Sequence, residues 1–256
     1  MMPKPRYLLA VLAVIIASAL AWWALAGQPA RGPEELARRG PLALFTSLPI
    51  YWGEAAGMAD LLDPDAPRHW VRDVVERSRA LQPVDTLEPA VLAPFRDLLL
   101  AQPRALSPAE NVALDDWVRG GGRLLLFADP LLTEESHFPL GDSRRPQDVV
   151  LLSPILARWG LELSFDDAQQ GGERMVRILG QDVPVALPGK FALRPTAPDA
   201  PAHCSLLADG AGAECRIGGG LALILADAAV LDAHHGGDGA REQVFLHLMT
   251  AAYAPE

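Results

Sequence analysis

The sequence predicts an α/β domain with a mainly parallel sheet flanked by helices, preceded by one hydrophobic segment near the N-terminus. Three observations predict this: apolar runs of strand length, a capped helix between two of them, and closely spaced turn signals after about residue 174. The clearest unit spans residues 97–127, where strand, helix and strand follow with short connections. Such a unit joins parallel strands, so we expect a parallel sheet here.

The hydrophobic segment Tyr7–Ala26 contains no charged residue. Its length is about the ~20 residues that a helix needs to cross a bilayer. Lys4 and Arg6 precede it, so the positive-inside rule predicts a single-pass anchor in the inner membrane with a cytoplasmic N-terminus. Residues 1–26 are thus the predicted anchor.

A cleaved signal peptide is the alternative, because Ala24-Leu25-Ala26 resembles a signal peptidase site. Both interpretations place the remainder in the periplasm. A Gly/Pro-rich, charged stretch at 27–40 predicts a linker, and 41–256 is the predicted periplasmic α/β domain. The net charge of −10 disfavours nucleic-acid binding.

The first half of the domain alternates strand and helix signals. The run 42–50 predicts a buried first strand. A helix is expected near 66–80, capped by Asp65, with Pro67 in its first turn and Trp70, Val71, Val74 and Val75 forming its apolar stripe. Residues 82–87 predict a second strand.

The capping box Ser107–Glu110 starts a helix that ends at Gly120-Gly121-Gly122, between strands at 97–101 and 123–127. The stretch 133–148 is polar and loop-like. A helix at 153–159, a strand at 161–165, hairpins over 174–216, a buried strand at 221–225 and a helix over 240–253 complete the expectation, with the hairpins as an antiparallel extension.

Cys204 and Cys215 are the two cysteines. A type I′ turn centred on Asp209-Gly210 places them directly opposite each other in a hairpin. A disulfide between them fits an oxidising compartment.

The familiar catalytic signatures are missing from the sequence. The chain contains no G-x-S-x-G, no H-E-x-x-H and no complete phosphate-binding loop, and its triple glycines do not open helices. We therefore expect a protein that is not an enzyme and has no cofactor.

Polar residues follow the predicted parallel strands, where open α/β sheets bind ligands. These crevice candidates are Thr46, Ser47, Trp52, Glu54, Gln102, Asp129 and Asp227. Each could instead cap a turn or helix. A second, weaker constellation is the loop with Asp232, His234, His235 and Asp238, whose carboxylate and imidazole groups could bind a divalent metal, although such residues are also ordinary in loops.

Three segments carry a family resemblance: LFTSLPIYWGE at 44–54, SPAENVALDDWVRGGGRLLLFADPLL at 107–132, and GGGLALILADAAVLD at 218–232. Together they resemble the soluble domain of membrane-anchored accessory proteins of ABC-type transport systems, the gliding-motility accessory family and DUF4350-like proteins. The resemblance implies a flavodoxin-like fold similar to class I glutamine amidotransferases. It also implies a non-enzymatic role beside an ABC permease and its ATPase.

True amidotransferases have a cysteine directly after a buried parallel strand, and this chain has none there. We therefore expect a periplasmic domain that binds a partner or ligand for an ABC system. A metal-assisted envelope hydrolase and a purely structural envelope protein remain the alternatives.

Overall fold

The computed structural model describes residues 40–54, 68–196, 202–233 and 239–253. All of them belong to one compact unit, Pro33–Glu256. No helix in these ranges is long and apolar enough to cross a membrane. The predicted anchor Tyr7–Ala26 lies outside the described residues.

The domain is a mixed α/β structure with a mainly parallel central sheet. Its strands are β1 Leu42–Thr46, β2 Leu81–Pro83, β3 Asp97–Ala101, β4 Arg123–Phe127, β5 Leu161–Ser164, β6 Glu173–Ile178, β7 Gln181–Ala186, β8 Lys190–Leu193, β9 Ala202–Leu207, β10 Gly212–Ile217 and β11 Gly220–Leu225. Its helices are α1 Trp70–Glu76, α2 Pro89–Leu92, α3 Pro108–Arg119, α4 Ser153–Arg158 and α5 Gly239–Tyr253.

The central sheet has seven strands in the order β2-β1-β3-β4-β11-β10-β9. Strands β2, β1, β3, β4 and β11 are parallel to one another, whereas β10 and β9 continue the sheet in antiparallel orientation. This confirms the predicted parallel core with its antiparallel extension. Two separate antiparallel pairs, β5 with β8 and β6 with β7, lie beside it.

Both faces of the parallel strands are buried, which explains why their sequences are continuously apolar. Along β1, Leu42 and Leu44 pack in a cluster with α1 and α5, while Ala43 and Phe45 pack in a second cluster with α3 and α4. Side chains alternate across a strand, so one short run supplies both cores.

Helix α3 forms where its sequence signals predict. The side chain of Ser107 accepts a hydrogen bond from the amide of Glu110, and the carboxylate of Glu110 accepts one from the amide of Ser107. Past the helix end, Gly121 adopts a φ of 109°, the left-handed region that glycine tolerates best. The βαβ unit at 97–127 is therefore confirmed.

Three predicted boundaries were wrong. The first strand ends at Thr46 instead of Ile50, because the chain turns before Pro49. Strand β2 ends at Pro83, and the last bond that ties it to β1 is donated by the amide of Val84 to the carbonyl of Leu44 at 2.9 Å. Helix α1 spans Trp70–Glu76 instead of 66–80, and the His69 ring caps it by accepting from the amide of Val71. Asp65 and Pro67 lie outside the described residues.

The disulfide between Cys204 and Cys215 is confirmed, and the two residues are directly paired between β9 and β10. The predicted two-residue turn was wrong, since the strands end at Leu207 and Gly212 and are joined by four residues. Ala208, Asp209 and Gly210 all have positive φ. The longer connection is symmetric about the same centre, so the cysteine register is unchanged.

A buried ion pair joins the ends of elements on the amino side of the sheet. Arg79 donates from Nη1 to Asp97 at 2.7 Å, and both side chains are at most 1% exposed. The same guanidinium donates to the carbonyls of Gly40 at 2.8 Å and Pro41 at 2.9 Å. Arg79 thereby links the segment after α1 to the starts of β1 and β3.

Replacing Arg79 by Met should reduce the free energy of unfolding by about 3–5 kcal/mol, because the carboxylate of Asp97 stays buried without its ion-pair partner. Urea denaturation of the purified protein measures the loss. The double variant Arg79→Met/Asp97→Leu should recover a large part of it. A double variant as unstable as the single one would contradict this explanation.

Candidate functional site

The candidate site lies at the carboxyl edge of the parallel strands. The chain crosses from β1 to β2 on one side and from there to β3 on the other, so strand order reverses between β1 and β3. Ligands of open α/β sheets bind at such a point. Contacts at this edge bring together five predicted crevice residues: Thr46, Ser47, Gln102, Asp129 and Asp227.

The hydroxyl groups at the end of β1 form hydrogen bonds with backbone groups of the same chain. Thr46 Oγ1 donates to the carbonyl of Ala101 at 2.6 Å and accepts from the amide of Leu48 at 2.8 Å. Ser47 Oγ donates to the carbonyl of Gln102. These bonds tie the carboxyl end of β1 to that of β3.

Gln102 is fully buried directly after β3 and has a φ of 43°, an uncommon conformation for a residue with a side chain. Its amide nitrogen donates to the carbonyls of Asp129 at 3.0 Å and Gln147 at 2.8 Å. Its amide oxygen accepts from the backbone N–H of Asp129 at 2.9 Å. One side chain thus satisfies backbone groups from two further segments.

The loop after β4 closes the place where strand order reverses. The amide of Gln147 donates to Ser47 Oγ at 2.9 Å, and its carbonyl accepts from Gln102. Gln147 therefore bridges the carboxyl ends of β1 and β3, beside the point where open α/β sheets bind ligands. The polar groups there are paired within the chain.

Asp129 and Asp227 are buried at the ends of β4 and β11, with 0% and 2% exposure. Every carboxylate oxygen accepts one backbone amide. Asp129 accepts from Leu131 at 2.9 Å and Ala228 at 3.1 Å, and Asp227 from Ala229 at 2.7 Å and Ala186 at 2.8 Å. Burial raises the pKa of Asp129 to about 6. Burial, followed by the charge of Asp129, raises the pKa of Asp227 well above its ordinary value.

The other two crevice candidates lie in the segment after β1. Trp52 is 76% exposed and meets the ring of Tyr51 edge-on. Glu54 Oε2 accepts from the backbone amide of His137 at 2.8 Å, and Glu54 Oε1 is buried without a hydrogen-bond partner. Trp52 is the crevice candidate that the structure leaves open to a partner's surface.

Sequence reasoning missed Glu134, which lies in the polar loop after β4. Its carboxylate accepts from the amide of Ala233 at 3.3 Å. Burial raises the pKa of Glu134 to about 7, and the charges of Asp232 and Glu54 add to the effect. No local pattern marks this residue, because only the folded loops bring these three acidic groups near each other.

The predicted metal loop is described only in part. His234, His235 and Asp238 lie outside the described residues. The carbonyl of Asp232 accepts from Trp70 Nε1 at 3.0 Å. Within the described ranges, no group of three His, Cys, Asp or Glu side chains could hold a metal ion.

No protein-family model and no curated protein matches this chain. Among solved structures, the mmIFT52 N-terminal domain has a TM-score of 0.52 at 11% identity, covering 85% of this chain and 99% of that chain. The exo-beta-1,4-mannosidase Op5Man5 from Opitutaceae bacterium strain TAV5 has a TM-score of 0.49 at 13% identity, covering 84% of this chain. A beta-galactosidase from Rahnella sp. R3 has 0.46 at 12% identity, also covering 84%.

This chain spans 36% of the mannosidase and 31% of the galactosidase. At these identities the likeness to the mmIFT52 domain supports the α/β fold and carries nothing about function. The two glycosidases match too loosely to carry an argument.

Changing Glu134 to Gln should stabilise the protein at pH 8.5, because Gln can still accept from Ala233 while the buried charge near Asp232 and Glu54 disappears. We expect a rise in the thermal midpoint of roughly 2–4 °C, the effect of about 1 kcal/mol in a chain of this size. Differential scanning fluorimetry measures it.

The raised pKa of Glu134 predicts the direction in which the thermal midpoint changes with pH. The pKa of Glu134 is raised in the folded protein, so its contribution to stability is lost as pH rises through about 7. The wild-type midpoint should therefore increase from pH 8.5 to pH 6.5, and the variant's should increase less. Burial lowers the pKa of His69 to about 4, which opposes the trend from the ordinary value of 6.5 downward. Glu135→Gln, at an exposed neighbour, is the control, and an equal gain there would contradict the prediction.

Proposed function

We propose that this chain is a membrane-anchored periplasmic accessory domain that binds a protein partner of an ABC-type transport system without catalysing a reaction. The observation that carries the proposal is how the crevice residues are used. Thr46, Ser47 and Gln102 hydrogen-bond to the chain's own backbone, and the segment at Gln147 fills the space between β1 and β3. This arrangement favours a role in which the loops at the carboxyl edge of the sheet, and not the crevice, bind a partner.

The strand order supports the finer fold within this proposal. The five parallel strands follow the order β2-β1-β3-β4-β11, which corresponds to the flavodoxin-like order 2-1-3-4-5. A class I glutamine amidotransferase-like domain is built on such a sheet. The two cysteines lie on the antiparallel strands β9 and β10 and are joined by a disulfide. Neither is therefore available as the nucleophile of that enzyme class.

The compartment rests on two features of the chain. The uncharged run Tyr7–Ala26 comes directly after Lys4 and Arg6, as expected for a segment that exports the rest of the chain. The disulfide suits an oxidising compartment, whereas cytosolic proteins seldom keep one. Both features support a domain in the periplasm.

Trp52 is the side chain that we assign to the partner interface. Tryptophan is enriched among the interface residues that dominate binding energy. Trp52 is 76% exposed and follows β1 at the carboxyl edge, where the loops after β1, β4 and β11 meet. A partner that docks there would cover the indole ring of Trp52. The hydrogen bonds between the ends of β1 and β3 could stay intact.

Tagged full-length protein, purified in mild detergent from its native membrane, should bring down an ABC permease and its ATPase, identified by mass spectrometry. Trp52→Ala should reduce that recovery about tenfold, the effect of the ~1.4 kcal/mol that a partly buried aromatic contact contributes. Leu193→Ala is the control, because Leu193 is 54% exposed on β8 and lies outside the loops after β1, β4 and β11.

Recovery of the protein alone would contradict the accessory role and favour a structural envelope protein. Stoichiometric metal in the purified protein, lost in His234→Ala/His235→Ala, would instead favour the envelope hydrolase.

The compartment is tested separately by fusing alkaline phosphatase after Glu256. Because this enzyme is active only outside the cytoplasm, we expect an active fusion. An active cytoplasmic reporter in the same position would contradict it. Sequencing of the mature N-terminus then distinguishes the anchor, which keeps residues 1–26, from a signal peptide cleaved before Gly27.

A further inference from the structure

Asp129 and Asp227 occupy equivalent positions on neighbouring parallel strands. In the β4–β11 ladder Phe127 pairs with Leu225, and each aspartate follows two residues later. The two carboxyl groups therefore lie side by side at the same level of the sheet edge, where the negative charge of Asp129 acts on Asp227. Both side chains are shielded from water.

The pair holds two other segments onto the sheet. Ala228 donates to Asp129 and the next residue, Ala229, donates to Asp227. Both carboxylates therefore hydrogen-bond to the turn that follows β11. Asp227 also receives the amide of Ala186, the last residue of β7. The β6–β7 hairpin is thus attached to the central sheet through a carboxylate that faces a second carboxylate.

Few positive charges offset the pair. Within the described part of the chain, no basic side chain forms an ion pair with either aspartate. Arg174 on β6 acts on Asp227 at a distance. Arg241 of α5 reaches the carbonyl of Ala229 and is itself paired with Glu173. Two like charges this close in a dry environment favour the uptake of one proton.

We propose that Asp129 and Asp227 form a proton-binding pair that locks the β6–β7 hairpin and the Ala228–Leu231 turn onto the sheet. With one proton taken from solvent, the pair carries a single charge and the four amide bonds hold. When that proton returns to solvent, both carboxylates are ionised and repel each other. The turn, which donates to both aspartates, and the hairpin, which donates to Asp227, then loosen together.

The raised pKa values of the two aspartates predict the same direction of pH dependence as this proposal. The pKa values of both aspartates are raised in the folded protein, Asp129 to about 6. Groups of this kind contribute stability at low pH that is lost as pH rises through the raised value. The hairpin and the turn are thus held firmly in mild acid and less firmly in mild alkali. The lock rests on the contacts of the pair and is independent of the proposed partner.

Hydrogen exchange of the full-length protein in detergent, read by mass spectrometry, tests the lock. Exchange rates at pH 5 and pH 8 are corrected for the intrinsic effect of pH, giving protection factors. Protection of peptides covering 183–189 and 226–231 should fall about tenfold at pH 8, the equivalent of one pKa unit. Protection of the β3 peptide 97–101 should not change. Because the pair is buried, 0.5 M salt should not restore protection.

Asp129→Asn removes the partner charge, and the fall in protection of the 183–189 peptide between pH 5 and pH 8 should become smaller, because only burial still raises the pKa of Asp227. Asp182→Asn on the same hairpin is the control, because Asp182 has a side-chain exposure of 61% and should keep the wild-type pH response. If Asp129→Asn does not fold, the comparison of pH 5 with pH 8 is made in Glu134→Gln, which removes the other raised carboxyl near this turn. Unchanged protection of 183–189 between pH 5 and pH 8, or an equal loss in β3, would overturn the proposal.

Discussion

The carboxyl edge of this sheet depends on the side-chain amide of Gln102. It is buried at the end of β3 and hydrogen-bonds to the backbone of Asp129 in both directions, and to Gln147. A buried amide that lost these partners would cost about 1–3 kcal/mol for each unsatisfied group. The ends of β3 and β4 and the loop after β4 are therefore fixed relative to one another. The hydroxyl of Ser47 joins the end of β1 to the same network.

Because of this network, the polar residues at the strand ends have a structural role. In an enzyme or a ligand-binding sheet such residues point into an open crevice. Here a segment of the same chain occupies that place, and the hydroxyl, amide and carboxylate groups satisfy backbone donors and acceptors. The surface that the edge offers to another molecule is then formed by its loops, which expose Trp52 after β1 and Leu140 after β4. Glu54 and Glu134 join neighbouring loops as hydrogen-bond acceptors. Burial raises the pKa of Glu134, so this carboxyl also makes the stability of the edge depend on pH.

The sequence alone determined the strands β1, β3, β4 and β11, the helix α3 and the cysteine pairing, because each depends on local signals. Buried strands need continuous apolar runs, the Ser107–Glu110 capping box is a local hydrogen-bond pattern, and hairpin register follows from symmetry about a turn. It also placed Thr46, Gln102, Asp129 and Asp227 together, since the carboxyl ends of parallel strands share one edge.

Only the tertiary structure decided what those residues bind. The side-chain partners of Gln102, and Ala186 which donates to Asp227, lie 27 to 45 residues away along the chain, and no periodic pattern encodes the course of these segments. The same reason hid Glu134, whose pKa depends on burial by loops after three different strands. Local composition determines where polar groups follow a strand, whereas the packing of distant segments determines whether those groups face a ligand or the chain itself.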